Sequence, residues 1–150
     1  MRVVIDTNQL VAALVRPPEL ATFMMAWESA RFTVVASPAL IEEYLHVLAY
    51  PEVESRIYPE LLRAFTTHLL QDIELVEPPE VPRLCRDPDD DKVIAAAIFG
   101  LADFLLTVDP DLMAPEVATF LEQMGITFLT GINLVRLLDT VAVNSAEYQF

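Results

Sequence analysis

The sequence has 150 residues, 54% of them hydrophobic and 21% charged, with 23 acidic against nine basic side chains and a net charge of −14. This length fits one domain that buries about 68–70% of its unfolded surface, and the apolar content excludes a disordered chain, leaving only Val143–Phe150 as a locally weak stretch. The charge excludes a protein that grips nucleic acid through a broad basic face; it does not exclude a nuclease whose acidic pocket is inverted by bound cations.

The opening MRVVIDTN carries a charge at position 6 and lacks the apolar core of a signal peptide. Val3–Ile5 reads as a short buried strand with Asp6 at its C-terminal end. Thr7 and Asn8 then open a short helix through Val15, which Pro17-Pro18 ends. Leu20, Phe23, Met24 and Trp27 follow at the spacing of an amphipathic helix face and read as core. Phe32–Ala36 is the second strand, and Ser37-Pro38 supplies an N-cap with proline at the first helical position. The helix SPALIEEYLHVLAY has Leu40, Ile41, Tyr44, Leu45 and Leu48 on its apolar face, with Glu42 and Glu43 on opposite flanks; periodicity leaves open which glutamate looks inward. His46 falls on the outer face, and neither it nor His68 has a motif that would make Ser37 a nucleophile.

Pro51 closes that helix, and Ile57, Leu61, Phe65 and Leu69 mark the next. Ile73–Val76 is a third strand, and the proline-rich EPPEVP is a stiff connection across the surface. In CRDPDDDKVIAAAIFG, Asp87, Asp89, Asp90 and Asp91 run directly into an apolar, alanine-rich helix expected at the centre of the domain. A helix N-terminus stabilises carboxylates by about 0.3–1 kcal/mol each, enough to account for one or two of them. The single cysteine, Cys85, rules out an intramolecular disulfide, suits a reducing cytosol and reads as a small apolar residue. Phe104–Thr107 is a fourth strand, followed by Asp109-Pro-Asp111, a helix over Glu116–Met124, a fifth strand at Ile126–Leu129 and a last helix over Ile132–Leu138. Asp103 interrupts the longest apolar run, Val93–Val108, so no membrane span is expected and a cytoplasmic protein is the default.

Short apolar strands separated by helices predict an α/β fold, a three-layer α/β/α sandwich around a parallel sheet of about five strands. Ligands in such sheets bind beyond the carboxyl ends of the strands, where strand order reverses. Asp6, Asp91 and Asp109 all fall near that edge. Carboxylates without neighbouring His or Cys favour Mg²⁺ or Mn²⁺, and one or two such ions suffice for phosphodiester hydrolysis. An aspartate-nucleophile phosphohydrolase needs a second acid two positions after the first, where this chain has Asn8.

The blocks VIDTN, SPALIEEYLHVL, CRDPDDDKVIAAA and LLTVDPDLM, in this order and spacing, resemble a PIN domain, and more narrowly the toxin components of prokaryotic toxin–antitoxin systems. The resemblance runs from Arg2 to about Leu138 and implies a nuclease domain over residues 1–140 with a tail over 141–150. It implies a Mg²⁺- or Mn²⁺-dependent endoribonuclease whose metal ligands and catalytic acids are Asp6, Glu43, Asp91 and Asp109, supported by Asn8 and Thr107. Glu43 matches as the acid six residues after Ser37, and Asp91 as the acid four residues before Ala95, with Asp90 as its rival. Val108 departs from the glycine the family often has there, so it either narrows substrate access or packs inward. Arg16, Arg83, Arg86 and Lys92 are candidates for RNA phosphate contacts. The partners implied are an RNA substrate, an antitoxin that could place a basic side chain in the acidic pocket, and a second copy in a homodimer. The competing reading is a catalytically silent interaction protein of the same fold.

Overall fold

A computed structural model describes residues 1–147, with side chains described except at residues 17–20 and 142–147. The apolar starts of the strand segments fold as expected into parallel strands: β1 (Arg2–Ile5), β2 (Thr33–Ala36), β3 (Glu74–Leu75), β4 (Phe104–Leu106) and β5 (Thr127–Leu129). Their order is β3-β2-β1-β4-β5, every pairing parallel. Strand order reverses between β1 and β4, which pair Val3 with Phe104, Val4 with Leu105 and Ile5 with Leu106. Val3, Val4, Val34, Val35 and Leu105 are fully buried, as strands covered on both faces require.

The helices between them are α1 (Thr7–Leu14), α2 (Pro17–Glu28), α3 (Pro38–Leu48), α4 (Pro51–Glu54), α5 (Pro59–Asp72), α6 (Asp91–Phe99), α7 (Pro115–Gln123) and α8 (Gly131–Glu147), giving an α/β/α sandwich. A single 3₁₀ turn, Pro88–Asp90, leads into α6. The prolines expected only to close helices also open them: Pro17 begins α2 and Pro51 begins α4, because the first helical position has no use for the N–H that proline lacks. Ser37 caps α3 as its sequence implies, its hydroxyl accepting from the Leu40 N–H at 3.2 Å. On the same helix Leu40, Tyr44 and Leu48 are buried, whereas Leu45, expected on that face, points outward with 37% exposure. Phe23 and Trp27 of α2 are core, with Trp27 meeting Phe65 of α5 edge-on; Leu20 lies outside the described side chains. Helix α8 runs past the boundary expected at residue 140, and the end of the expected tail, 148–150, lies outside the described residues.

Helix α6 lies against β1 and β2 and touches α3, which puts its N-terminus at the strand-order reversal. Val93–Ala97 are buried without a break. Gly100, just past its end, sets how close α6 comes to the sheet: a Cβ there would lie 2.4 Å from the Ala96 carbonyl oxygen and 2.6 Å from Cγ1 of Val35. At the opposite edge, Arg2 ties three segments together, donating from Nε to the Gly100 carbonyl at 2.8 Å and pairing with Glu74 of β3 at 2.8 Å.

Candidate active site

The backbone of Asp6 belongs to two elements at once. Its N–H donates to the Leu106 carbonyl at 2.9 Å, extending the sheet by one bond, and its carbonyl accepts from Gln9 and Leu10 to begin α1. Its side chain makes no cap to that helix. Instead the carboxylate meets the end of β4, where the Thr107 hydroxyl donates to Asp6 Oδ2 at 2.9 Å. That same hydroxyl accepts the Asp109 N–H at 3.0 Å, and Asp109 Oδ1 accepts the Asp111 N–H at 2.9 Å. A continuous line of hydrogen bonds thus fixes Asp6, Thr107, Asp109 and Asp111 across the strand-order reversal.

The 3₁₀ turn delivers a third element to this line. Asp87 Oδ1 accepts the Asp89 N–H at 3.0 Å and closes the turn. Asp90 then comes to face Asp109 and Asp111, and the three carboxylates each offer an oxygen within 4.8 Å of the others. Asp91, expected as the third acid, is not one of these three. It is 3% exposed, and its Oδ1 accepts the N–H groups of Leu84 at 3.0 Å and Cys85 at 2.8 Å, fastening the incoming loop beneath α6. Of the two rivals, Asp90 is the one this geometry brings to the acidic cluster, because the chain returns under α6 and draws the Asp91 carboxylate inward.

Glu43, and not the exposed Glu42, faces the sheet edge from α3. Both of its oxygens are engaged: Oε1 lies 3.0 Å from Lys92 Nζ, and Oε2 accepts from the Thr7 hydroxyl. Asn8, expected to help position ligands, is exposed in the first turn of α1.

Burial and then the crowding of like charge disfavour ionised carboxylates at this edge. Burial raises the Asp6 carboxyl; the Thr107 hydrogen bond opposes this, and the charges of Asp109 and Glu43 raise it further. Asp90 is pushed up to about 6, first by burial and then by Asp109, Asp87, Asp6 and Asp111. Burial, followed by the hydrogen bond and charge of Asp91, pushes the Cys85 thiol up to about 12, so it stays protonated at neutral pH, in keeping with a packing role. For Lys92, burial works against the charge but is outweighed by the hydrogen bonds to Glu43 and Asp89, so its pKa is raised.

The basic residues divide. Arg83 is exposed, Arg86 is exposed and pairs with Asp111 at 3.1 Å, and Lys92 is half-buried between Glu43 and Asp89, each 3.0 Å from its ammonium. Arg16 borders a cavity of about 560 Å³ that Ala12, Phe23, Val108, Ile132 and Val135 also line. Val108 therefore does not pack inward: it is 54% exposed at the cavity wall, next to Asp109.

Sequence reasoning left Thr7 as a turn or cap residue opening α1 and gave Asp111 no role. The signal for Asp111 was its position two residues after Asp109, the spacing at which an aspartate side chain accepts a backbone N–H. Thr7 carried no local signal, since its partner Glu43 lies 36 residues away.

This arrangement gathers oxygen donors of one charge where the sheet's strand order reverses, a place suited to a hard divalent cation. Comparison with curated proteins and with solved structures yields no match. The PIN domain family, whose members are generally nucleases, matches residues 2–111, a span from β1 through the last acid of the cluster. That match covers most of the chain and includes every carboxylate described above, and the chain belongs to the PIN domain family.

Proposed function

We propose that this protein is a Mg²⁺- or Mn²⁺-dependent endoribonuclease, and that it acts in the cytoplasm as the toxin of a toxin–antitoxin pair. The observation that carries the nuclease reading is the meeting of Asp90, Asp109 and Asp111 at the strand-order reversal, with Asp6 linked to them through Thr107. The donor set fits the cation that the family implies: three carboxylates within reach of one another, without histidine, suit Mg²⁺ or Mn²⁺ over zinc. A divalent ion bound there would lower the pKa of an attacking water and offset charge on the scissile phosphate.

In this reading Asp90, Asp109 and Asp111 hold the ion, Asp90 taking the part that the resemblance alone assigned to Asp91. Asp6 shares the site, and the Thr107 hydroxyl keeps its carboxylate turned toward the cluster. Glu43 adds negative charge from α3, oriented by Thr7 and Lys92. Asn8, exposed beside this edge, is placed to meet substrate or water. Arg16 and Arg83 would contact RNA phosphates on either side. The apolar wall around Ala12, Phe23 and Val108 supports an antitoxin segment that covers the site entrance, and a homodimer belongs to the same reading.

Cleavage of a pool of structured RNAs by the purified chain, in Mn²⁺, Mg²⁺ and EDTA, tests the proposal. We expect cutting with either metal and none in EDTA, and loss of at least 100-fold in Asp6→Asn and Asp109→Asn with the far-UV spectrum retained. Variants as active as the parent would overturn it. Mn²⁺ binding without cleavage of any RNA would favour a silent interaction protein.

A further inference from the structure

We infer that Arg86 is a phosphate-binding residue switched by the cation: its guanidinium rests on Asp111 in the chain alone and turns to an RNA phosphate once Asp111 engages a divalent ion. The inference rests on the metal-dependent nuclease reading above and adds to it a residue and an order of binding.

Asp111 is one of the three carboxylates that converge at the strand-order reversal, and Arg86 lies against it, with Nη2 3.1 Å from Oδ1 and 3.4 Å from Oδ2. One nitrogen straddling two oxygens is not the two-nitrogen fork that makes an arginine–carboxylate pair strong. The Arg86 side chain is also 86% exposed, so water screens the pair and little holds it. The backbone around it is held firmly. Just before Arg86, the Leu84 and Cys85 N–H groups donate to Asp91 at 3.0 and 2.8 Å; just after it, Asp87 closes the 3₁₀ turn by accepting the Asp89 N–H at 3.0 Å. A fixed stem with a loosely held head keeps the guanidinium at the rim of the acidic cluster wherever it turns.

Charge supplies the switch. A guanidinium on Asp111 offsets part of the negative charge that draws a cation, and a cation on the same carboxylate repels the guanidinium. Each therefore weakens the other, by the same factor in both directions. RNA reverses the sign, because a phosphate offers the planar guanidinium two parallel hydrogen bonds where Asp111 takes one nitrogen. In a chain with nine basic residues against 23 acidic ones, Arg86 thus becomes available to a phosphate when the neighbouring carboxylates are engaged.

Two binding measurements on the full chain test this, comparing wild type with Arg86→Ala, Arg86→Gln and, as a control for net charge, Arg63→Ala at an exposed position on α5. In the first, free Mn²⁺ is followed by electron paramagnetic resonance without RNA. Both Arg86 variants are expected to bind Mn²⁺ about 2- to 5-fold more tightly than wild type, and Arg63→Ala within about 1.5-fold of it. In the second, anisotropy follows a fluorescein-labelled, cleavage-resistant phosphorothioate 12-mer of uridine. In saturating Mn²⁺ the Arg86 variants should bind it about 10-fold more weakly than wild type, and in EDTA within about 2-fold. Unchanged Mn²⁺ affinity in both Arg86 variants would overturn the inference, as would an equal gain in Arg63→Ala. So would oligonucleotide binding that ignores Arg86 in Mn²⁺, or that depends on it equally in EDTA. No Mn²⁺ bound by wild type at all would instead overturn the metal-dependent reading, and this inference with it.

Discussion

Replacing Asp90 by asparagine should stabilise the metal-free protein while removing one carboxylate from the proposed metal site. In the folded chain the Asp90 carboxyl is raised from 3.8 to about 6, by burial first and then by Asp109, Asp87, Asp6 and Asp111. The folded state therefore binds this proton more tightly than the unfolded state does. The group favours folding below about pH 4, and that contribution is lost as pH rises toward 6. At about 1.36 kcal/mol per pH unit the full displacement is worth about 3 kcal/mol, and solvent screening at a partly exposed carboxylate reduces it to about 1–2 kcal/mol. Asparagine keeps the shape and discards the charge. Urea unfolding in EDTA at pH 7.5 should show Asp90→Asn more stable than wild type by about 1–2 kcal/mol, with the gap closing as pH falls to 4. In excess Mn²⁺ the order should reverse, because only wild type gains the full binding free energy. A variant no more stable than wild type in EDTA would refute the claim that Asp90 stands in a repulsive cluster.

Asp91→Ala should behave in the opposite way: it leaves the Leu84 and Cys85 N–H groups without their acceptor and should lower stability by about 3–6 kcal/mol, at about 1.5–3 kcal/mol per bond to a charged group. Its urea midpoint should fall both with and without metal, and amide exchange at Leu84 and Cys85 should quicken. Gly100→Ala must force apart the end of α6 and Val35, where the added Cβ would sit at 2.4 and 2.6 Å from its neighbours, and should cost about 1–3 kcal/mol by the same unfolding assay. Ser37→Ala, which removes the α3 cap, should cost about 1 kcal/mol and leave Mn²⁺ affinity within about twofold of wild type.

Much of this architecture was legible because strand ends are written locally. A short apolar run that stops near a carboxylate announces both the strand and the acid beyond it, which is how Asp6 and Asp109, together with Asp91 at the helix start, were placed at one edge. Glu43 was a different matter. A helical wheel put it and Glu42 on opposite flanks, and only the resemblance chose between them; the reason for the choice lies in Thr7 and Lys92, distant in sequence. The acidic run resisted reading for a geometric reason. Pro88–Asp90 turns as a 3₁₀ helix with three residues per turn before α6 continues with 3.6, and counting back from Ala95, as the resemblance does, takes no account of that change of pitch. Which acid turns inward is then decided by Leu84 and Cys85 passing beneath the helix, and nothing in the aspartates themselves records that path.

Asp90 and Asp91 are neighbours of the same residue type under opposite demands, and the difference follows from what faces them. Asp91 meets two N–H groups that its side chain accepts, and these bonds hold the loop to α6. Asp90 is partly buried and meets carboxylates, so its ionised form is disfavoured, by burial first and then by the neighbouring charges. Rigidity from the first is what makes the second usable: a loose loop would let Asp90 swing away from Asp109 and Asp111 to relieve the repulsion, and the oxygens would no longer converge. The anchoring of Asp91, the hydrogen-bonded line from Asp6 through Thr107 to Asp111, and the lysine tether on Glu43 all act against that relaxation. The fold thereby keeps like charges close at the expense of its own stability, and under the proposed metal dependence a bound divalent cation would offset that cost.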